Sequence, residues 1–533
     1  MGKRAPDSDC SEYEGGNSSS SDYVSKPVLN KRKAKAAPKT RTKKVKVDSE
    51  DKSETRTLNV QHSFSMHKID DPAPMRAALL AWYDGVSTSR GMPWRKPFRP
   101  EATCDERAQR AYEVWVSEIM LQQTQVSTVI AYYNRWMEKF PTLADLAKAN
   151  IDDVNALWKG LGYYSRAKRL LEGAQKAVQE YDGQLPDNAK DMQTNIPGIG
   201  RYSAGAICSI AYGERVPVLD GNVHRLMSRV LALHANPKAK ATLDLLWTAA
   251  EAMVMAPEPG IDAYVSPTQH AGDINQAMIE LGSTVCKVKD PNCASCPISS
   301  WCKAYTRASH QEKDIGDIED LCQLCEPLPD DTSVTNYPMR VERKKAREEV
   351  DAVNVIEWRG HDPDQRFIML VRRPENGLLA GLYEFPTIEN VSEDACAKGH
   401  TTKLLSTYLR DGVLPMKSGE GSDDQLRVVS SRPKGDVLHI FSHVRKTYRV
   451  THVVIQGGAS PPVLAARASQ DRPSATPKPV KKGKAKGKAK GATASSASAP
   501  ADGPSAVWTE IAKVSDANIG TGVGKIWSLI WSG

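Results

Sequence analysis

Cys286, Cys293, Cys296 and Cys302 stand at C-x6-C-x2-C-x5-C intervals, four of the chain's ten cysteines within 17 positions. Four thiolates at such short, fixed intervals converge on one point, and a point held by four thiolates is a tetrahedral metal ion or a cubane cluster. The spacing alone leaves zinc and [4Fe–4S] both open. The N-terminal MGKRAPDSDC lacks the apolar core of a signal peptide, and no apolar run approaches the roughly 20 residues that cross a bilayer. The expectation is an intracellular chain with reduced thiols, in which cysteines serve metal rather than disulfides.

At 533 residues the chain has room for two to four domains. Its net charge of +8 is concentrated in two runs: residues 31–46 hold nine Lys and Arg, residues 478–490 hold seven, and without them the balance is −8. The body of the protein is therefore not globally basic, and an anionic partner has to be met by local patches. Residues 1–70 are Ser-, Lys- and acid-rich and read as a disordered tail. The first basic run reads as a nuclear import signal or a nucleic-acid-binding arm. Helical periodicity, with Pro and Gly stops, dominates from Met75 to about Leu281 within a domain expected at 71–302, and Ala108–Phe140 is too long for one helix. Residues 303–345 form a polar connector. From there the pattern turns to β-branched runs such as VNVIEW, RFIMLVRR, LYEFPTI and HVVIQ. These predict a mixed α+β domain over 346–458 and 506–533, interrupted by a low-complexity insert at 459–505.

Two acids stand out within the helical part. Glu118 sits mid-helix, with Val114, Trp115 and Leu121 on its own face. A carboxylate held against such a face loses hydration, its pKa rises, and it carries a proton at neutral pH. Asp220, in VPVLDGNVHRL, precedes a helix, where an N-terminus keeps a carboxylate ionised; the plain alternative is an ordinary N-cap. One acid pushed up and one held down divide the donor and anion roles that breaking a glycosidic bond needs. In IPGIGRYSAGAI, Pro197, Gly198 and Gly200 form a turn into a small-residue helix, followed by Arg201 and Tyr202. Such a turn aims backbone N–H groups at an anion.

Together, VWVSEIMLQQTQV, GLGYYSRAKRL, IPGIGRYSAGAI, VLDGNVHR and the cysteine spacing resemble the MutY adenine DNA glycosylases of the helix-hairpin-helix superfamily. The resemblance runs from about Pro74 to Cys302 and continues more weakly to the C-terminus. It implies a mainly α glycosylase domain with a [4Fe–4S] cluster on the four cysteines. It also implies excision of adenine from A:8-oxoguanine, and less well from A:G, in double-stranded DNA. By resemblance Glu118 protonates adenine at N7, Asp220 stabilises the sugar cation, and Tyr202 and Asn222 support the pair. Gln123 and Tyr163 resemble the residues inserted into the base stack to hold the duplex open while adenine is flipped out, with Gln122 expected to contact DNA as well. Pro197, Gly198, Gly200 and Arg201 become the hairpin gripping a phosphate. Endonuclease III relatives have a lysine where Tyr202 stands. An amine can form a Schiff base and cut the strand, whereas a phenol cannot, so the expected product is an intact abasic strand.

Undamaged adenine cannot identify itself, so the opposite base has to be read by the second domain. Its patches LLAGLYEFP and FSHV resemble the MutT-like (Nudix-like) domain of this family, with Phe441, Ser442 and His443 at the loop that probes 8-oxoguanine. A Nudix hydrolase needs G-x5-E followed by R-E-x-x-E-E, but the sixth position after Gly381 is Thr387 and no such run follows. Two alternatives differ in class: an endonuclease III-like bifunctional lyase would keep the lysine, and a non-catalytic damage-binding protein would lack one carboxylate. Animal relatives carry a zinc site in the connector. Here His62, Cys322 and Cys325 match it, Ile315 replaces its first cysteine, and a fourth ligand is unassigned. The remaining expectations are a monomer, replication and repair partners through the connector and tails, and a nuclear location, with the mitochondrion as a second one.

Overall fold

The computed structural model describes residues 62–257, 271–309, 321–328, 333–342, 345–374, 379–392, 397–410, 413, 425–441, 443–465 and 506–531. Both basic runs, Ile315 and Ser442 lie outside these. Two compact units emerge, one of Met1–Ala144 with Gly173–Arg343, the other of Asp145–Glu172 with Lys344–Gly533. The segment 145–172 thus groups with the second unit, where the Asn518 side chain donates to Asp152 Oδ1 at 3.0 Å.

Among the described residues, twelve α-helices run through the first part of the chain: α1 (Pro72–Val86), α2 (Cys104–Leu121), α3 (Val126–Lys139), α4 (Leu143–Lys148), α5 (Ile151–Trp158), α6 (Ser165–Glu180), α7 (Ala189–Asn195), α8 (Arg201–Ile207), α9 (Gly221–Val230), α10 (Lys240–Met255), α11 (Ala271–Thr284) and α12 (Lys303–Ser309). The over-long stretch divides as expected. A capping box of Thr103 and Glu106 starts α2, and the chain breaks between α2 and α3 where Gln123 takes a left-handed φ of 58°. A π-turn at Cys208–Tyr212 continues α8 and ends at Gly213. One expectation is overturned at the N-terminus. Residues 62–70 are not tail: Phe64–His67 forms a 3-10 turn whose His67 is buried, because both its neighbours and its side chain find partners in the helical unit.

The second unit is built on a sheet ordered β3-β2-β1-β6-β5, with β4 also on β1 and β7 also on β2. The strands are β1 (Arg347–Arg359), β2 (Arg366–Arg372), β3 (Tyr383–Glu384), β4 (Thr387–Ile388), β5 (Arg427–Ile440), β6 (Val444–Gln456) and β7 (Ala506–Glu510). β1 and β6 pair in parallel over their whole length, Arg347 opposite Val444 to Arg359 opposite Gln456, and the other ladders are antiparallel. Strand alternation sends Val353, Val355 and Val450 to one face, packed on α14 (Thr521–Trp531). It sends Ile356, Trp358, Val453 and Ile455 to the other, packed on α13 (Ala397–Tyr408). The mixed α+β class expected from the β-branched runs is the one found.

Candidate active site and metal centres

Glu118 lies in the last turn of α2, and the Tyr202 hydroxyl, one residue into α8, donates to its Oε2 at 2.7 Å. Burial is the main force on Glu118 and pushes its pKa up to about 7, against the lowering effect of the Tyr202 hydrogen bond. The Asp220 charge adds to the rise, and the cation of Arg95 opposes it. The same burial and the two neighbouring acids drive the Tyr202 phenol well above its ordinary range, so it remains a donor. Arg95 is itself held by Glu280, whose carboxylate lies 2.7 Å away and is almost fully buried.

Asp220 is the N-cap of α9. Its Oδ1 accepts from the Val223 N–H at 2.7 Å and its Oδ2 from the Asn222 amide at 2.8 Å. One expectation fails here: the Asp220 pKa is raised, not lowered. Desolvation is the largest influence and outweighs the cap, the Asn222 bond and the Arg225 charge. The two acids still differ in their partners. Glu118 has one hydroxyl and the charge of Arg95, while Asp220 has a backbone amide, a side-chain amide and the charge of Arg225, all of which favour its anion.

The neighbours of Asp220 extend to the cysteine loop. Arg225, buried on α9, donates to Asn222 Oδ1 at 2.9 Å, to the Gly282 carbonyl at 2.6 Å and to the Cys286 carbonyl at 2.9 Å. One turn on, buried Arg229 donates to Cys286 Sγ at 3.2 Å and to the Lys287, Val288 and Tyr337 carbonyls. Buried Asn275 on α11 ties down the segment leading to Asp220, bonding Ser209, the Val216 carbonyl and the Val218 N–H. Sequence reading missed these residues. The signal it could have used is two arginines four apart in HRLMSRV, between Leu226, Met227 and Val230, which a helix stacks on one face.

Cys286, Cys293, Cys296 and Cys302 line one pocket together with Leu226, Arg229, Val230 and Ile298. Burial pushes Cys296 up to about 11 and Cys302 to about 12, so a bound metal would have to displace their protons. A single zinc with Zn–S near 2.3 Å would draw its four sulfurs to roughly 3.8 Å of one another. Among the described residues, the side chains whose ligand atoms all lie within 4.8 Å are instead His62, His67, Cys322 and Cys325. The four cysteines share one pocket, where their sulfurs could hold a metal ion or a cluster.

The hairpin forms at 196–201. Ile196 and Ile199 are buried, Gly198 turns the chain at φ 82°, a conformation that favours glycine, and exposed Gly200 caps α8 through its backbone. Pro197 is partly buried. Exposed Arg201 stacks its guanidinium 3.8 Å over the Trp247 ring on α10. Gln122 ends α2, and Gln123 is exposed. In the second unit Tyr163 is 48% exposed at φ 47°, behind Gly162 at φ 70°. Arg166 lies 5.7 Å from the Tyr163 ring and bonds the Leu161 and Gly162 carbonyls. Gln123 and Tyr163, both expected to enter the base stack, stand in left-handed backbone, as do Asp182, Ala232, Asp290, Leu379 and Asn390. Phe441 and exposed His443 flank the tight β5–β6 turn, where the Phe441 N–H bonds the Val444 carbonyl at 2.8 Å.

A model of the HhH-GPD superfamily of base excision DNA repair proteins matches residues 116–252, the span holding Glu118, Tyr202 and Asp220. An adenine DNA glycosylase of Rattus norvegicus is 41% identical over 410 residues, covering 74% of this chain and 73% of that one. That of Homo sapiens is 40% identical over 413 residues, covering 74% and 70%. That of Schizosaccharomyces pombe is 35% identical over 429 residues, covering 76% and 86%. With an acid pair, a glycine hairpin and a four-cysteine pocket in one helical unit, and identity at this level over most of its length, the chain belongs to the family of adenine DNA glycosylases.

Proposed function

We propose that this protein removes adenine paired with 8-oxoguanine, and more slowly with guanine, from double-stranded DNA, leaving an intact abasic strand for base excision repair. The observation that carries the reading is the pair of buried acids with unlike hydrogen-bond partners: Glu118 under the Tyr202 phenol with its pKa near 7, and Asp220 held by the Val223 N–H and the Asn222 amide beside the Arg225 charge. Protonated Glu118 delivers its proton to adenine N7, which makes the base a neutral leaving group. The Asp220 carboxylate then faces the oxocarbenium-like sugar, and Asn222 and Arg225 hold that carboxylate in place. Tyr202 offers no amine for a Schiff base, so the strand is not cut. Gln123 and Tyr163 fill the gap left by the flipped base, Gln122 contacts the DNA, and the 197–201 turn holds a phosphate without reading sequence. Phe441, Ser442 and His443 meet the opposite base.

Cys286, Cys293, Cys296 and Cys302 would hold a [4Fe–4S] cluster, supported by their shared apolar pocket and by the Arg229 guanidinium on Cys286 Sγ. The cluster would lock the 286–302 loop; the acid–base work stays with the side chains above. The basic run at 31–46 supports a nuclear location.

A panel of duplexes with A:8-oxoguanine, A:G, A:T or C:8-oxoguanine, each with and without alkali, tests the reading. Breaks are expected at A:8-oxoguanine and more weakly at A:G, only after alkali. Breaks without alkali that borohydride traps would overturn the role of Tyr202; intact strands throughout would overturn adenine excision itself.

A further inference from the structure

We propose that Lys159 and Asn518 are positioning residues. They fasten the turn carrying Tyr163 to the sheet carrying Phe441 and His443, so that the side chain filling the base stack and the loop meeting the opposite base keep one fixed spacing. The proposal rests on the roles given above to Tyr163 and to Phe441–His443. All of the contacts involved lie within the second unit.

The turn that bears Tyr163 has no ladder of its own. Gly160, Gly162 and Tyr163 all take left-handed backbone, at φ 103°, 70° and 47°, between the end of α5 and the start of α6. Its flanks supply two anchors. Trp158 Nε1 donates to the Gly162 carbonyl at 2.9 Å, and Arg166 donates to the Leu161 and Gly162 carbonyls at 3.1 Å. A third anchor comes from far along the chain. Lys159, the C-cap of α5, donates through Nζ to the Ser515 carbonyl and reaches that of Ala517 at 3.5 Å. At the other end of α5, Asn518 Nδ2 donates to Asp152 Oδ1 at 3.0 Å and to the Asp152 carbonyl at 3.3 Å. Asp152, Asn155 and Lys159 fall on one stripe of the helix, and Asn155 between them is buried.

Asn518 also faces the sheet. Its carbonyl accepts from the Tyr383 N–H at 2.8 Å, and Tyr383 and Ile519 form a parallel bridge. Tyr383 opens β3, which pairs with β2 in the sheet whose β5–β6 turn presents Phe441 and His443. Hydrogen bonds therefore run from the sheet through Asn518 to Asp152, while Lys159 grips the same 515–518 segment beside the Tyr163 turn. Ser515 and Ala517 offer Lys159 only backbone carbonyls, a partner that any long cationic side chain satisfies. The plain alternative is a set of surface contacts that steady the fold slightly and do nothing else. Such contacts would affect excision from every mispair alike.

The test is single-turnover excision by full-length protein from A:8-oxoguanine and A:G duplexes. The double variant Lys159→Ala, Asn518→Ala is expected to lose about threefold to tenfold of its preference for A:8-oxoguanine, while its A:G rate stays within about twofold of wild type. Lys159→Arg should keep the wild-type preference, because a guanidinium reaches the same carbonyls. Asn518→Asp sets a second carboxylate against Asp152 and should lower the preference. Adding Asp152→Asn returns an amide donor to a carboxylate across that contact and should restore most of it. An unchanged preference in the double variant, an equal loss on both substrates, or a swap that restores nothing would each overturn the proposal. A wild type with no preference for 8-oxoguanine would be a different failure, overturning the reading of Phe441–His443 and this proposal with it.

Discussion

Replacing Tyr202 by Phe removes the hydroxyl from Glu118 and little else. The hydroxyl donates at 2.7 Å to a carboxylate, and it favours the ionised form. A hydrogen bond to a charged acceptor contributes about 1.5–3 kcal/mol, and 1.36 kcal/mol corresponds to one pKa unit. Without it the Glu118 pKa rises further, from about 7 by roughly 1–2 units. The sign follows from the role of the acid. Excision needs protonated Glu118, so the rate falls as pH rises through its pKa, and the variant's fall begins at higher pH. Single-turnover excision from an A:8-oxoguanine duplex, measured between about pH 5.5 and 9.5, reads this limb in the bound complex. The expected result is an alkaline limb displaced upward by roughly 1–2 units, with the variant retaining activity where the wild type has lost it. A limb that stays in place, or moves toward acid, would refute the assignment of Glu118 as donor with Tyr202 as its partner. A uniform loss at every pH would assign Tyr202 to substrate contact instead.

Glu118→Gln should bind the mispaired duplex and excise almost nothing. Because the folded pKa is raised, the wild type is fully stabilised below the ordinary carboxylate range and loses stability as pH rises through about 7. The variant should therefore resist urea better at pH 8.5, by about 1–3 kcal/mol, and converge with the wild type near pH 4.5; equal midpoints at pH 8.5 would refute the buried acid. Gly282→Ala should slow excision about tenfold or more with binding little changed, because a Cβ there would lie 2.8 Å from both Cβ and the carbonyl oxygen of Asn222. Full-rate excision would show that the position of Asn222 is not needed. In the second unit Glu357 is fully buried, yet His452, Arg359 and Arg366 overcome its desolvation and hold it at about 2. That stability is present above the ordinary carboxylate range and is lost as pH falls through about 2. Glu357→Gln should cost about 2 kcal/mol at pH 7 by urea unfolding, discounting for the partly exposed arginines; no loss would mean the cluster is neutral to stability.

Much of this protein could be read along the chain, wherever short-range physics decides. Thiol spacing, the glycine turn of the hairpin, the apolar face around Glu118 and the β-branched runs of β1, β2 and β6 are all set by neighbours a few residues away. β5 escaped that reading. It is an edge strand carrying Pro433 and Gly435 at a break in register, with most of its side chains exposed, so neither alternation nor apolar content marks it. The charge state of Asp220 escaped for a different reason. An N-cap predicts a lowered pKa from local geometry, but desolvation depends on everything packed around the group, which only tertiary structure supplies. The same holds for partners far apart in sequence. Arg225 and Arg229 reach a cysteine loop some sixty residues away, and His67 meets Cys325 across most of the helical unit. Local sequence determines which groups a segment can offer and how it bends. Which of them end within bonding distance is decided by the burial of distant apolar faces against one another, and no window along the chain contains that information.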